Sequence, residues 1–307
     1  MNENSEKIFL ALKNLKDFEK VQPNSCKISR LGGLTNLVHL VETKIGNFVV
    51  RIPGEGTEEY INREIEFINA TAAWRAGISA KILWADDITG IMVSRAIEES
   101  ETMTPSLFKT RSGSAKRAGE AFAKLHNSGE NFEFRFELFN MIDSYLRVLS
   151  TKDVKFPEGY HDIVKAANPV KEALNAKPVK LAPCHCDPVC ENFLDDGKKM
   201  WIVDWEYSGM NDPLWDLGDL SVEASMNEEQ ESELLLSYFG QEPSAEQKGR
   251  VVIYKAMCDL LWTLWGLIQL ADGNQADDFW SYSTERFNRC KNLMEKPDFE
   301  DHIKAIK

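Results

Sequence analysis

A hairpin set inside a helical half constrains this chain more than any other feature. From about Ser112 the apolar residues recur at helical spacing, with Ala118, Ala121, Phe122 and Leu125 on one face. The pattern returns over residues 234–238, 251–271 and 277–294. Residues 179–203 break it. Two short runs there, 192–194 and 200–203, flank Asp195, Asp196 and Gly197, a strong signal for a two-stranded hairpin. The hairpin pairs residues near Asn192 with residues near Trp201, so Asn192 and Asp204 come to the same open end. Their oxygens suit one Mg²⁺, which takes oxygen ligands, usually one or two carboxylates together with substrate phosphates. Asp187 lies five residues before Asn192, on the loop leading into that end. A carboxylate there can orient and deprotonate a hydroxyl attacking a γ-phosphate. Cys184, Cys186 and Cys190 with His185 also invite a zinc site, but their spacing is too tight to turn four ligands inward.

Ahead of this block the chain reads as β-rich. Residues 27–31, 37–43 and 47–52 are short runs punctuated by Gly32 and Gly33 and by Gly46 and Asn47, as expected of an antiparallel meander. A helix is expected near residues 3–15, another over 58–76, and further strands at 81–85 and 90–95. The fold class is therefore α+β and bilobal. A small antiparallel β-sheet N-lobe (residues 1–97) precedes a larger, mainly helical C-lobe (residues 98–307). Between the first two strands, Gly32 and Gly33 let backbone pass close to phosphates, and Thr35 and Asn36 add donors. Taken alone, a glycine pair is also simply a good hairpin turn. Neither GxxxxGK[ST] nor GxGxxG occurs, which argues against a P-loop kinase and a dinucleotide enzyme.

Charge narrows the partners. Forty-nine acidic against 36 basic residues give a net charge of −13, a surface that repels phosphate backbones and anionic lipid and tolerates a cationic substrate. Nucleic acid and membrane are thus not expected as partners. The first twelve residues lack the basic and apolar regions of a signal peptide. The longest apolar stretch, residues 257–271, carries Asp259 and Gln269 and reads as a buried helix. Six cysteines in 307 residues suggest reduced thiols and a cytoplasmic location. A monomer or homodimer is expected.

Taken together, these motifs resemble the aminoglycoside phosphotransferase and choline kinase superfamily, and are most like the bacterial choline kinases of phosphorylcholine surface decoration. The resemblance runs from Gly32 to about Cys290. It implies a protein-kinase-like fold, ATP and Mg²⁺ as cofactors, Asp187 as catalytic base, and Asn192 and Asp204 as metal ligands. His185 would hold the catalytic loop. Gly32 to Asn36 is similar to the family's phosphate loop. Arg51 stands where protein kinases place a lysine against the α- and β-phosphates, with Glu66 favoured over Glu64 as its partner. Residues 92–97 resemble the hinge, so Ser94 and Ala96 would border adenine. Trp205 departs from protein kinases but matches the choline kinases.

The acceptor side draws on three segments. Glu206, Asn211, Trp215 and Asp216 follow the metal aspartate; Trp262 and Trp265 project from one face of a helix; Tyr282 lies in the last long helical run. On spacing alone, an aromatic pair of this kind is ordinary core packing. The resemblance implies instead that these aromatics enclose choline, with Glu206 and Asp216 supplying negative charge or ordering the loop. The expected reaction is transfer of the ATP γ-phosphate to choline. Ethanolamine, thiamine or an aminoglycoside is the alternative acceptor, and a non-catalytic binding module is the alternative of another class.

Overall fold

The computed structural model describes residues 3–19, 21–32, 36–54 and 61–307. Strands β1 (Lys27–Gly32), β2 (Leu37–Thr43), β3 (Gly46–Ile52), β4 (Ile82–Ala85) and β5 (Met92–Arg95) form one sheet in the order β1-β2-β3-β5-β4. Every pairing in it is antiparallel. Strand alternation buries Val41, Phe48, Val50 and Val93 on one face. Helix α1 (Glu3–Leu12) covers that face with Ile8, Phe9 and Leu12. Helix α2 (Arg63–Arg75) starts where the Asn62 side chain accepts from the Ile65 N–H, later than the expected start at residue 58. Residues 55–60 lie outside the described residues. The inner alanines of α2, Ala70, Ala72 and Ala73, join the larger core of the helical part.

That part is built around α10 (Ala245–Ala271). Ser244 and Gln247 form a capping box at its start, two reciprocal bonds that satisfy otherwise orphaned N–H groups. By length and composition α10 could cross a membrane, but its apolar surface is buried inside the protein. Leu260, Leu261, Leu264 and Leu267 are fully buried, each worth roughly 1.5–3 kcal/mol. Around it pack α5 (Leu138–Leu149), α8 (Leu214–Glu223), α11 (Phe279–Met294) and α12 (Phe299–Ala305), while α4 (Ser114–His126) packs on α9 (Glu228–Phe239). An antiparallel sheet followed by a mainly helical remainder is the expected architecture.

The hairpin joins β8 (Phe193–Asp195) to β9 (Met200–Ile202), with Leu194 opposite Trp201. Its turn falls at Asp196 and Gly197, as the sequence suggests. Asp195 is a fully buried strand residue, gripped by Arg117 at 2.8 and 2.6 Å. Asp196 turns the chain by accepting from the Lys198 and Lys199 N–H groups, and Gly197 takes the left-handed φ of 82°.

Candidate active site

The loop holding Asp187 follows strand β7 (Ala182–Cys184), which pairs with β10 (Gly209–Asn211). Its shape is fixed from behind by α8. Asp216, fully buried, accepts from the backbone N–H of His185 at 2.7 Å and of Cys186 at 2.8 Å, and bonds His126 Nε2 at 3.0 Å. The Trp215 indole donates to the Cys186 carbonyl at 3.0 Å. Together these hold Cys186 at φ 68°, a strained conformation for a residue with a side chain. His185 bonds the Val203 carbonyl through Nε2 at 2.9 Å and packs its ring against Trp205. Burial lowers its pKa, so the ring stays neutral.

The hairpin brings Asn192 to the chain entering Asp204: the Val203 N–H donates to the Asn192 carbonyl at 2.9 Å. Asn192 Nδ2 donates to the Asp187 carbonyl at 3.1 Å, which ties base candidate and metal candidate together and frees the amide oxygen of that contact. Asp204, at φ 66°, has a buried Oδ1 with no hydrogen-bond partner among the described residues. Burial, then Glu206, pushes its carboxyl up to about 8. The Asp204 Oδ1 has Arg51 Nη1 at 3.5 Å, and with Asn192 lining the same cleft the two residues offer the oxygen donors that Mg²⁺ takes. Burial pushes Asp187 up to about 7; Glu223 adds to this and Arg286 opposes it.

Beside this pair lies a cleft of about 280 Å³ between the β-sheet and the hairpin. Val38, Val49, Ile82 and Leu194 line it with apolar surface, and Arg51, Asn192 and Asp204 form its polar end. Arg51 is clamped by both oxygens of Glu66, while Glu64 faces solvent. Ser94 lines the cleft, but Ala96 does not: its N–H donates to the Asn47 carbonyl, and Ile97 takes the position at the cleft wall. Gly32 also borders the cleft. Gly33 and Thr35 lie outside the described residues, and Asn36 donates to Glu206 at 3.0 Å and Asp204 at 3.5 Å.

Several residues expected on the acceptor side stand elsewhere. Glu206 faces Arg63 at 2.6 Å and Arg51 at 3.3 Å, so its charge is neutralised at the polar end of the cleft. Trp215 is fully buried between Phe136 and Tyr254, and Asn211 contacts the thiols of Cys184 and Cys186. Both support the loop from behind, because their positions face the core. Asp216, as described, orders the loop. The aromatic residues do come together. The Trp265 indole donates to the Tyr207 hydroxyl at 2.9 Å, Tyr207 packs edge-on to Trp262 at 5.4 Å, and Trp265 packs against Tyr282 at 5.6 Å. Sequence reasoning passed over Arg63, Tyr207, Asp219 and Glu223. The signal for Arg63 was its i,i+3 spacing to Glu66; for the two acids it was their spacing from Asp216 along one helix face.

Residues 28–244 match the family model of choline/ethanolamine kinases. The chain belongs to the choline/ethanolamine kinase family. It is an alcohol-acceptor phosphotransferase. Protein LicA of Haemophilus influenzae is 30% identical over 270 residues, covering 86% of this chain and 99% of that protein. A crystal structure of a choline/ethanolamine kinase family protein from Mesorhizobium loti is 55% identical, covers 98% of each chain and superposes at a TM-score of 0.88. The choline kinase LicA from Streptococcus pneumoniae is 28% identical over 95% of this chain and 99% of that one, at a TM-score of 0.78. The fold is kinase-like, shared even with a spectinomycin phosphotransferase 12% identical at a TM-score of 0.57.

Proposed function

We propose that this enzyme transfers the γ-phosphate of ATP to the hydroxyl of choline, with ethanolamine a poorer acceptor. The observation that carries this reading is the linked set of Trp262, Tyr207, Trp265 and Tyr282. Ring faces suit a quaternary ammonium, at about 0.5–2 kcal/mol for each good contact. Trp262 of this set donates to Asp219 on α8, the helix whose Asp216 shapes the Asp187 loop, which supports an acceptor site beside that loop. A polycationic aminoglycoside would call for several carboxylates where Trp262 and Trp265 stand. The names of the LicA relatives and of the choline kinase from Streptococcus pneumoniae support the same acceptor.

In this reading Asp187 receives the hydroxyl proton, a role its raised proton affinity suits. His185, Asp216 and Trp215 keep its loop in shape, and Glu66 aims the Arg51 guanidinium at the phosphates. Asn192 and Asp204 would hold Mg²⁺, which when bound neutralises charge on the phosphates. Ser94 and Ile97 border adenine, and the N-lobe ends near residue 97. The test is a coupled ATP-consumption assay with choline, ethanolamine, thiamine and kanamycin as acceptors. Choline should give the highest kcat/KM; a higher value for thiamine or kanamycin overturns the reading.

A further inference from the structure

We propose that Asp219 supplies the negative charge that receives the cationic end of the acceptor, and so sets the enzyme's preference for charged over neutral alcohols. This rests on the acceptor reading above and names the residue that decides it. Helix α8 carries Asp216, Asp219 and Glu223 at i, i+3 and i+7, hence on one face. Asp216 is saturated by the loop. Glu223 is held by both guanidinium nitrogens of Arg286, at 2.5 and 3.0 Å, and nearby Asp259 is held by Arg289 and Arg286. Asp219 is different. It is fully buried, its Oδ2 accepts from the Trp262 indole at 3.1 Å, and its Oδ1 has no hydrogen-bond partner among the described residues. Among the described residues no cation stands within ion-pair distance of it.

Burial, then Glu223, raises the Asp219 pKa well above the usual carboxylate range, so a positive group beside its free oxygen is what holds it ionised. The surroundings say where that group goes. Trp262, which Asp219 holds, packs edge-on to Tyr207, whose hydroxyl accepts from Trp265, and Trp265 packs against Tyr282. Glu206, away from this site, is engaged by Arg51 and Arg63. A small alcohol bearing one positive charge would thus meet aromatic rings and a carboxylate with one oxygen unpaired, on the helix that shapes the loop of the base candidate. A quaternary ammonium gains the charge alone, whereas a primary ammonium can also donate to Oδ1. Loss of the charge should therefore harm ethanolamine more than choline.

The experiment compares wild type with Asp219→Asn, which keeps an oxygen for the Trp262 indole. Acceptors are choline, ethanolamine and 3,3-dimethylbutan-1-ol, the neutral isostere of choline. The ratio of kcat/KM for choline over the isostere should fall about tenfold or more, ethanolamine should lose more than choline, and the ATP KM should hold. Equal losses for choline and the isostere mean a structural role and overturn the proposal. A wild type that phosphorylates neither choline nor ethanolamine instead refutes the acceptor reading itself, and Asp219's role with it. Should the variant not fold, tryptophan fluorescence of the wild type still decides. Choline should bind at least about tenfold more tightly than the isostere, and equal affinities overturn the proposal.

Discussion

Asp216→Asn separates loop shape from chemistry. The native carboxylate accepts from two backbone N–H groups and from a histidine ring in a site with no solvent exposure. Alanine there would leave three buried donors unpaired, at about 1–3 kcal/mol each. That total rivals the 5–15 kcal/mol that holds a typical domain together, so the alanine variant is expected to unfold. Asparagine is milder. With its amide oxygen in the Oδ2 position it still accepts from His185 and His126, and its NH₂ then confronts the Cys186 N–H, two donors face to face. One lost bond and one unsatisfied donor cost about 1–3 kcal/mol. The left-handed turn at Cys186 stores about 1–2 kcal/mol of its own. Once its anchor is lost, that peptide should relax and carry the adjacent Asp187 with it. A shift on the order of 1 Å at a reacting group can cost a hundredfold in rate, so kcat should fall roughly 10- to 100-fold. The ATP KM should stay within about twofold, since the cleft walls are untouched. Urea unfolding and steady-state kinetics on one preparation measure both. A variant with stability within about 0.5 kcal/mol of wild type and unchanged kcat would refute the anchoring argument.

Three further outcomes are expected. Asp187→Asn should lower turnover by about 10²–10⁴ with an unchanged melting temperature and ATP affinity, and near-normal turnover would remove Asp187 as the base. Trp265→Leu should raise the choline KM about tenfold or more, a loss of about 1.4 kcal/mol, with little change for ATP. A fall in melting temperature with the choline KM intact would return Trp265 to the core. In the native protein Ellman's reagent should detect one thiol, the half-buried Cys26, because burial covers the other five and raises their pKa values. All six should react in denaturant, and several fast native thiols would contradict the packing around residues 184–190.

How far the sequence could be read follows from which side-chain directions it fixes. A hairpin fixes register, so the convergence of Asn192 and Asp204 was legible from the turn alone. A helix fixes faces, so Glu66 could be preferred to Glu64 against Arg51. Irregular backbone fixes neither. Asp204 adopts a left-handed φ of 66°, which no pattern around a non-glycine residue announces, and Glu206, two residues on, meets Arg51 and Arg63 at the polar end of the cleft. Reading 206–216 as one acceptor segment treated a bent chain as straight. The same error moved Trp215 and Asn211 to the acceptor, although the β10 strand and the first turn of α8 direct both toward the core. The correction was available within α8 itself. An apolar helix that places Asp216, Asp219 and Glu223 along one stripe must find each a partner or a ligand, because a buried charge is not tolerated alone. Two of the three have both oxygens engaged within the chain, while Asp219 has only one, through Trp262. The third is the one a substrate can complete.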